Sequence, residues 1–241
     1  MSYKNIKWVA RLRNVSDVSV RGLADLEYWT NHLSPYGLMP AERDGSAEII
    51  IIGGDARFRG VAFREVSFAV ILAAEHAPNC REAAFLIHSY NSCRFFAFCE
   101  RVFFSTPYDH AMVGLSPSLP ASMTLEIAGE EVFRITMGSA ESSVRQPTFC
   151  GRDDWDGAVY LPYDVNRKAG AGKMFFSQVR GDARKFLFDK PGDTLSIKPA
   201  ASTETLAKLV ESRFTPYEWI TRECSTHAKS KTYSASKFAS R

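Results

Sequence analysis

Residues 63–74 read "FREVSFAVILAA". From Glu65 to Phe68 polar and apolar residues alternate, and beyond that the run is wholly apolar. Side chains in a strand point alternately to opposite faces, so this pattern predicts a strand half-buried at its start and covered on both faces at its far end. Glu65 then shares a face with Ser67 and Ala69, while Arg64 points the other way with Val66 and Phe68.

On either side the chain continues in the same style. Upstream, "AEIIII" (47–52) is a β-branched run that meets Gly53-Gly54, which predicts a strand followed by a turn. Downstream, "AAFLIHSY" (83–90) is a further strand, whereas "SCRFFAFCERVFF" (92–104) is too short and too aromatic for periodicity to separate strand from helix. "SMTLEIAGEEVFRITMG" (122–138) reads as a hairpin with an Ala-Gly-Glu turn. Short strands recur in "GAVYLPYDV", "KMFFSQVRG", "ARKFLFD" and "DTLSIKP". "STETLAKLVES" (202–212) is the clearest helix, with Ser202 or Thr203 as N-cap and Leu206, Leu209 and Val210 on one face. "VRGLADLEYWTNHL" (20–33) suggests a helix that "SPYGLMP" ends. The expectation is a mainly β (α+β) chain: one domain over residues 1–241, of barrel or sandwich type, with an N-terminal helical segment to about residue 44 and a basic tail over about 227–241.

Composition narrows the function classes. The 241 residues are 45% hydrophobic and 24% charged, ordinary values for a chain with a buried core. The formal charge of +3 is small, and part of it belongs to the tail "HAKSKTYSASKFASR", which holds three lysines and one arginine. A nucleic-acid interface needs a concentrated basic face, so no such partner is expected. The N-terminal stretch lacks the apolar run of a signal peptide and no segment approaches a membrane span, which predicts a cytoplasmic protein without membrane contact. Cys80, Cys93, Cys99, Cys150 and Cys224 are odd in number and form no CxxC pair, consistent with free thiols and no zinc site. The histidines show no ligand spacing, and "KAGAGK" (168–173) lacks the frame of a phosphate loop. No metal and no cofactor are expected.

Several polar residues could carry chemistry. Glu65 is either a rim ion-pair partner or a pocket carboxylate. "RVFFSTPYDH" (101–110) places Arg101, Phe103, Tyr108, Asp109 and His110 in one short stretch. Arg101 suits either a surface pair or a grip on a substrate carboxylate. Asp109 either caps the segment that follows or joins Tyr108 and His110, a phenol and a base titrating near neutrality, in a pocket. His88 and Tyr90 share a strand face, and His88 reads either as a satisfied strand histidine or as a catalytic one.

In order and spacing these pieces resemble the acetoacetate decarboxylase-like superfamily, from about Gly45 to Thr232. "FREV" (63–66) is similar to that family's Tyr-x-Glu motif with Phe in place of Tyr. "RVFFSTPYD" (101–109) is similar to its Arg-Glu-Leu-Trp-Gly-Phe-Pro-Lys-Lys motif. The hairpin "LEIAGEEVFRIT" and the closing strand, helix and strand over 193–234 fit as well. The resemblance implies a cone-shaped β-barrel with flanking helices, a homo-oligomer, and a pocket built from Glu65, Arg101, Tyr108 and Asp109. The family's Schiff-base lysine and its neighbour fall on Tyr108 and Asp109, neither of which can form an imine. Lys168, Lys173 and Lys185 lie in polar connections and are not expected to replace it.

The resemblance therefore points to a branch without the Schiff-base lysine, acting on a keto, enol or carboxylate compound. The expected enzyme works by acid/base chemistry of lyase, dehydratase, cyclase or isomerase type. Glu65, Tyr108, Asp109 and His110 would act as acid, base or donor. Arg101, His88, Tyr90 and Phe103 would hold the ligand. The alternative is a non-catalytic small-ligand-binding protein on the same barrel.

Overall fold

An eighteen-residue strand occupies the region expected to open in a helix: β1 spans Trp8–Asp25. Val18, Val20 and Ala24 are buried at a spacing of two, and strands flank β1 on both sides, so pairing and burial override the helical reading of residues 20–25. The helix survives only as α1 (Leu26–Leu33), where the Asp25 carboxylate accepts the Tyr28 N–H at 2.8 Å and caps its first turn. The computed structural model describes residues 6–138, 145–162, 172–198 and 203–238.

A two-residue strand, β2 (Glu42–Arg43), leads into β3 (Ser46–Phe58) and β4 (Val61–Leu72). Gly53-Gly54 does not turn the chain. Both glycines stay in the ladder, opposite Val66 and Glu65, and the turn falls at Arg59-Gly60, where both residues have positive φ. β5 (Glu82–Asn91) is followed by α2 (Arg94–Phe103), which settles the ambiguous aromatic run as helix, and by β6 (Tyr108–His110). Next come β7 (Met112–Ser116), β8 (Ser122–Ile127) and β9 (Glu130–Thr136), the last two forming the expected hairpin. Its Ala128-Gly129 turn has positive φ at both central residues, which matches the right-handed twist of the strands.

The remaining strands are β10 (Phe149–Arg152), β11 (Trp155–Tyr160), β12 (Lys173–Arg180), β13 (Asp182–Leu187) and β14 (Thr194–Ile197). Then follow α3 (Glu204–Glu211), β15 (Thr215–Ser230) and β16 (Tyr233–Ser234). Thr203 is the N-cap residue of α3, while Ser202 lies outside the described residues. Leu206 and Leu209 are buried but Val210 is exposed, so the apolar stripe of α3 is narrower than expected. The expected basic tail is β15 as far as Ser230 and β16 beyond, and residues 239–241 lie outside the described residues.

Seven strands close into a barrel in the order β15-β1-β3-β4-β5-β11-β12, with β12 pairing back onto β15. All these pairs are antiparallel except β5 with β11. A second sheet, β14-β9-β8-β7, packs on the outside of the barrel. Val18, Val20, Ile49, Ile51, Val66 and Phe68 on the outer barrel face join Met123, Leu125 and Phe133 of that sheet, with Trp29 and Leu206 from the helices, in one buried core. Each such side chain stabilises the fold by about 1.5–3 kcal/mol. Gly53 belongs to this seam: a Cβ there would come within 2.6 Å of Leu115 Cδ1 and 2.7 Å of Met123 Sδ.

Candidate functional site inside the barrel

Residues directly opposite one another in neighbouring strands face the same side, so the register identifies what the barrel encloses. One row runs Ser19, Ile52, Ser67, Ser89, Tyr108, and the next runs Asp17, Gly54, Glu65, Asn91, His110. Opposite Asp17 stands Arg222, and a register shift between the Asp17–Arg222 and Val15–Ser225 pairs moves the alternation of β15 by one residue, so that Ser225, His227 and Lys229 follow on the same side. The opposite face of these strands carries the main apolar core, while the enclosed face is polar along these two rows and apolar beyond them, with Ile50, Ala69 and Ile71 on one side and Val15, Ala56 and Phe63 on the other.

At the centre, the Tyr108 hydroxyl lies 3.4 Å from Glu65 Oε2. Beneath them the hydroxyls of Ser67 and Ser89 are 2.7 Å apart. Burial raises the pKa of Glu65 and the nearby charge of Glu100 adds to the rise. Lys229, His227 and the Tyr108 hydrogen bond pull it back without cancelling it. Burial, reinforced by the charges of Glu65 and Glu100, holds the Tyr108 hydroxyl well above its ordinary value. Glu65 nevertheless retains partial surface exposure, as a group facing an internal space does.

Lys229 closes this centre from β15. Its ammonium pairs with the Glu100 carboxylate, which reaches in from α2. It stands 4.5 Å from the Phe175 ring centre, 5.2 Å from Phe104 and 5.6 Å from Tyr108. Thr106 Oγ1 donates to Glu100 Oε2 at 2.7 Å and fixes the acid. Lys229 is 17% exposed and Glu100 20%, so the pair is sheltered but reachable.

Beside the centre lies a second polar group. Arg222 bridges Asp17 Oδ1 at 3.1 Å and Asp153 Oδ2 at 3.2 Å, and His227 Nε2 is 3.1 Å from Asp17 Oδ2. Burial works against ionisation of Asp17. The hydrogen bond from His227, the charges of His227 and Arg222 and a hydrogen bond from Ser225 outweigh it, and the pKa is lowered. Towards the other end of the barrel, Arg21 pairs with Glu48 at 2.8 Å and Glu82 at 3.1 Å, and Trp155 Nε1 donates to Glu82 at 2.8 Å.

Of the residues singled out from sequence, Glu65 and Tyr108 come together inside the barrel. His110 shares their face, next to Asn91 in the register. Asp109, His88 and Tyr90 occupy the opposite face. Asp109 pairs with Arg101 at 3.1 Å, both more than half exposed, and His88 Nε2 lies 3.1 Å from Asp109 but off the line of a formed hydrogen bond. Burial lowers the pKa of His88, and Asp109 offsets only part of this. Burial raises Tyr90 to about 12. Phe103 is 70% exposed on the outside of α2. These five residues therefore stand apart from Glu65 and Tyr108.

Sequence reasoning missed Lys229, His227, Asp17, Ser67, Ser89 and Glu100. Of the three lysines weighed there, Lys173 in β12 donates to Ser105 Oγ at 2.8 Å and Lys185 in β13 pairs with Asp153 at 3.0 Å, while Lys168 lies outside the described residues. Among the described residues no three His, Cys, Asp or Glu side chains are grouped to hold a metal ion, and no helix is long and apolar enough to cross a membrane.

No protein-family model matches the chain, and no curated protein matches it. Solved structures do. An acetoacetate decarboxylase-like enzyme from Sphingomonas wittichii RW1 aligns at TM-score 0.58 and 11% identity, over 93% of this chain and 92% of that one. Acetoacetate decarboxylase from Legionella pneumophila aligns at 0.59 and 13%, over 94% and 89%. A further acetoacetate decarboxylase structure aligns at 0.60 and 12%, over 92% and 87%. The chain has the acetoacetate decarboxylase-like fold.

Proposed function

We propose that this chain is a small-molecule enzyme that transfers a proton to or from a keto, enol or carboxylate compound inside the barrel, without an imine. The observation that carries the reading is the Tyr108 hydroxyl 3.4 Å from Glu65, in an enclosed site closed by the Lys229 ammonium. A carboxyl with a raised pKa holds a proton to give, and general acid–base transfer of this kind contributes about 10²–10⁴-fold to rate. Glu65 is the acid. It protonates a carbon or a leaving oxygen of the ligand and becomes a carboxylate, which the nearby positive charge of Lys229 favours; in the reverse direction that carboxylate takes the proton from the carbon beside a carbonyl and the enol is left. Tyr108, whose proton is held firmly, donates a hydrogen bond to the oxygen on which negative charge develops. Lys229 anchors the anionic end of the ligand.

The test is exchange of carbon-bound protons for deuterium in a panel of 2- and 3-keto acids, followed by proton NMR. Wild type exchanges one or more members, Glu65→Gln loses the exchange, and Tyr108→Phe slows it. Binding without exchange identifies a non-catalytic ligand carrier on this barrel. Borohydride reduction in the presence of the panel gives no covalent adduct; an adduct mapped to Lys229 overturns the assignment in favour of imine chemistry.

A further inference from the structure

The two adjacent glycines of β3 face opposite sides, and their surroundings differ. Gly53 is wedged beneath Leu115 and Met123 of the outer sheet. Gly54 points inward, directly opposite Glu65 in the β3–β4 register. A Cβ at Gly54 would meet only Glu65 Cγ at 3.9 Å and Val15 Cγ1 at 4.0 Å. Both are ordinary van der Waals distances, so the position has room for a methyl group beside Glu65, and a larger side chain would press against it. Glu65 itself has one hydrogen bond among the described residues, the long contact from Tyr108. Ile52 and Ser67 fill the neighbouring row. Ala56 and Phe63, buried with Val15, fill the row on the other side, which leaves Gly54 as the position without a side chain beside Glu65.

We propose that Gly54 is the size-limiting position of the site: the space it leaves beside the Glu65 carboxyl admits the reacting end of a small carbonyl or carboxylate ligand. A side chain there closes that space from the β3 side while leaving the outer core untouched. The backbone at Gly54 is extended, so a larger residue meets no conformational penalty of the left-handed kind. The ligand class rests on the proposed function; the missing side chain beside Glu65 does not.

The experiment separates the two. A water-soluble carbodiimide with glycinamide amidates accessible carboxyl groups, and peptide mapping reads the rate at Glu65, with exposed Asp109 as internal reference. Gly54→Leu is expected to slow labelling of Glu65 by about tenfold or more, as a few extra methylenes do in a fitted pocket. Labelling of Asp109 and the melting temperature stay as in wild type. Gly54→Ala gives a smaller slowing in the same direction, and it decides the matter if the leucine variant does not fold. Gly53→Ala lowers the melting temperature and leaves Glu65 labelling unchanged. Unchanged labelling of Glu65 in folded Gly54 variants overturns the inference. So does binding of pyruvate and 2-oxobutyrate that is the same in Gly54→Leu as in wild type while Glu65 is shielded. If wild type binds neither acid but Gly54→Leu shields Glu65, the size limit stands and the ligand class falls.

Discussion

Lys229 of the last long strand and Glu100 of the helix after β5 meet as an ion pair inside the barrel, across most of the sequence. The pair ties α2 to the closing strand and leaves one ammonium shared between Glu100 and the field at Glu65. Both consequences can be measured.

Lys229→Gln removes the anchor. Binding of a keto acid weakens by about 1.5–3 kcal/mol, the range for hydrogen bonds to charged groups, as read by calorimetry. If affinity is unchanged, the ligand's negative end lies elsewhere.

Glu65 sets a pH dependence whose sign is fixed. Its pKa in the folded chain is raised above the value of 4.5 for an unperturbed glutamate. Between those two values the folded chain binds more protons than the unfolded one, so stability falls as pH rises through that window. Glu65→Gln removes the loss. Its melting temperature relative to wild type rises with pH, and the two converge below the unperturbed value. A constant difference across pH contradicts the raised pKa.

Asp17 behaves in the opposite sense. Its lowered pKa contributes stability above the unperturbed value of 3.8, and this is lost as pH falls towards the folded value. Asp17→Ala leaves the Arg222 guanidinium buried with Asp153 as its remaining acid, and destabilises the fold by about 3–5 kcal/mol in urea titrations at neutral pH.

Asp109→Asn distinguishes the two faces of the barrel. Proton transfer inside is unchanged, while the pKa of His88, followed by NMR, falls further because the attraction of Asp109 is gone. Loss of exchange activity in this variant would place Asp109 at the reaction after all.

Phe68→Ala empties a fully buried position between the barrel and the second sheet, and lowers stability by about 3–5 kcal/mol in urea titrations. Phe103→Ala, on an exposed ring, changes it little.

The parts of the fold readable from sequence are those whose pattern matches their local surroundings. The 122–138 hairpin alternates cleanly because one of its faces is covered and the other is not. The misread parts depend on partners distant in sequence. Residues 20–25 form a strand because β15 and β3 flank them, two neighbours that no local window contains. Within the site, Tyr108 and Asp109 are adjacent in sequence yet face opposite sides, so "PYDH" could not be a single constellation. Lys229 was hidden by composition: the segment around it was read as a basic tail, although Ser225, His227 and Lys229 alternate with Thr226, Ala228 and Ser230 as a strand requires.

Closure of the seven-strand ring has a further consequence for how the chain behaves in concentrated solution. Each ring strand is paired on both sides, so the largest surface of potential backbone donors and acceptors is spent within the molecule. Free edges in the described residues fall to β10, β16, β2 and β6 on the large sheet and to β14 and β7 on the small one, none longer than five residues. Short edges make poor templates for strand addition between molecules. Opening the β12–β15 seam would expose the Thr226–Lys229 edge of β15, while its Glu218–Thr221 stretch stays paired with β13. Resistance to fibrillar aggregation therefore depends on the same strand that carries Lys229.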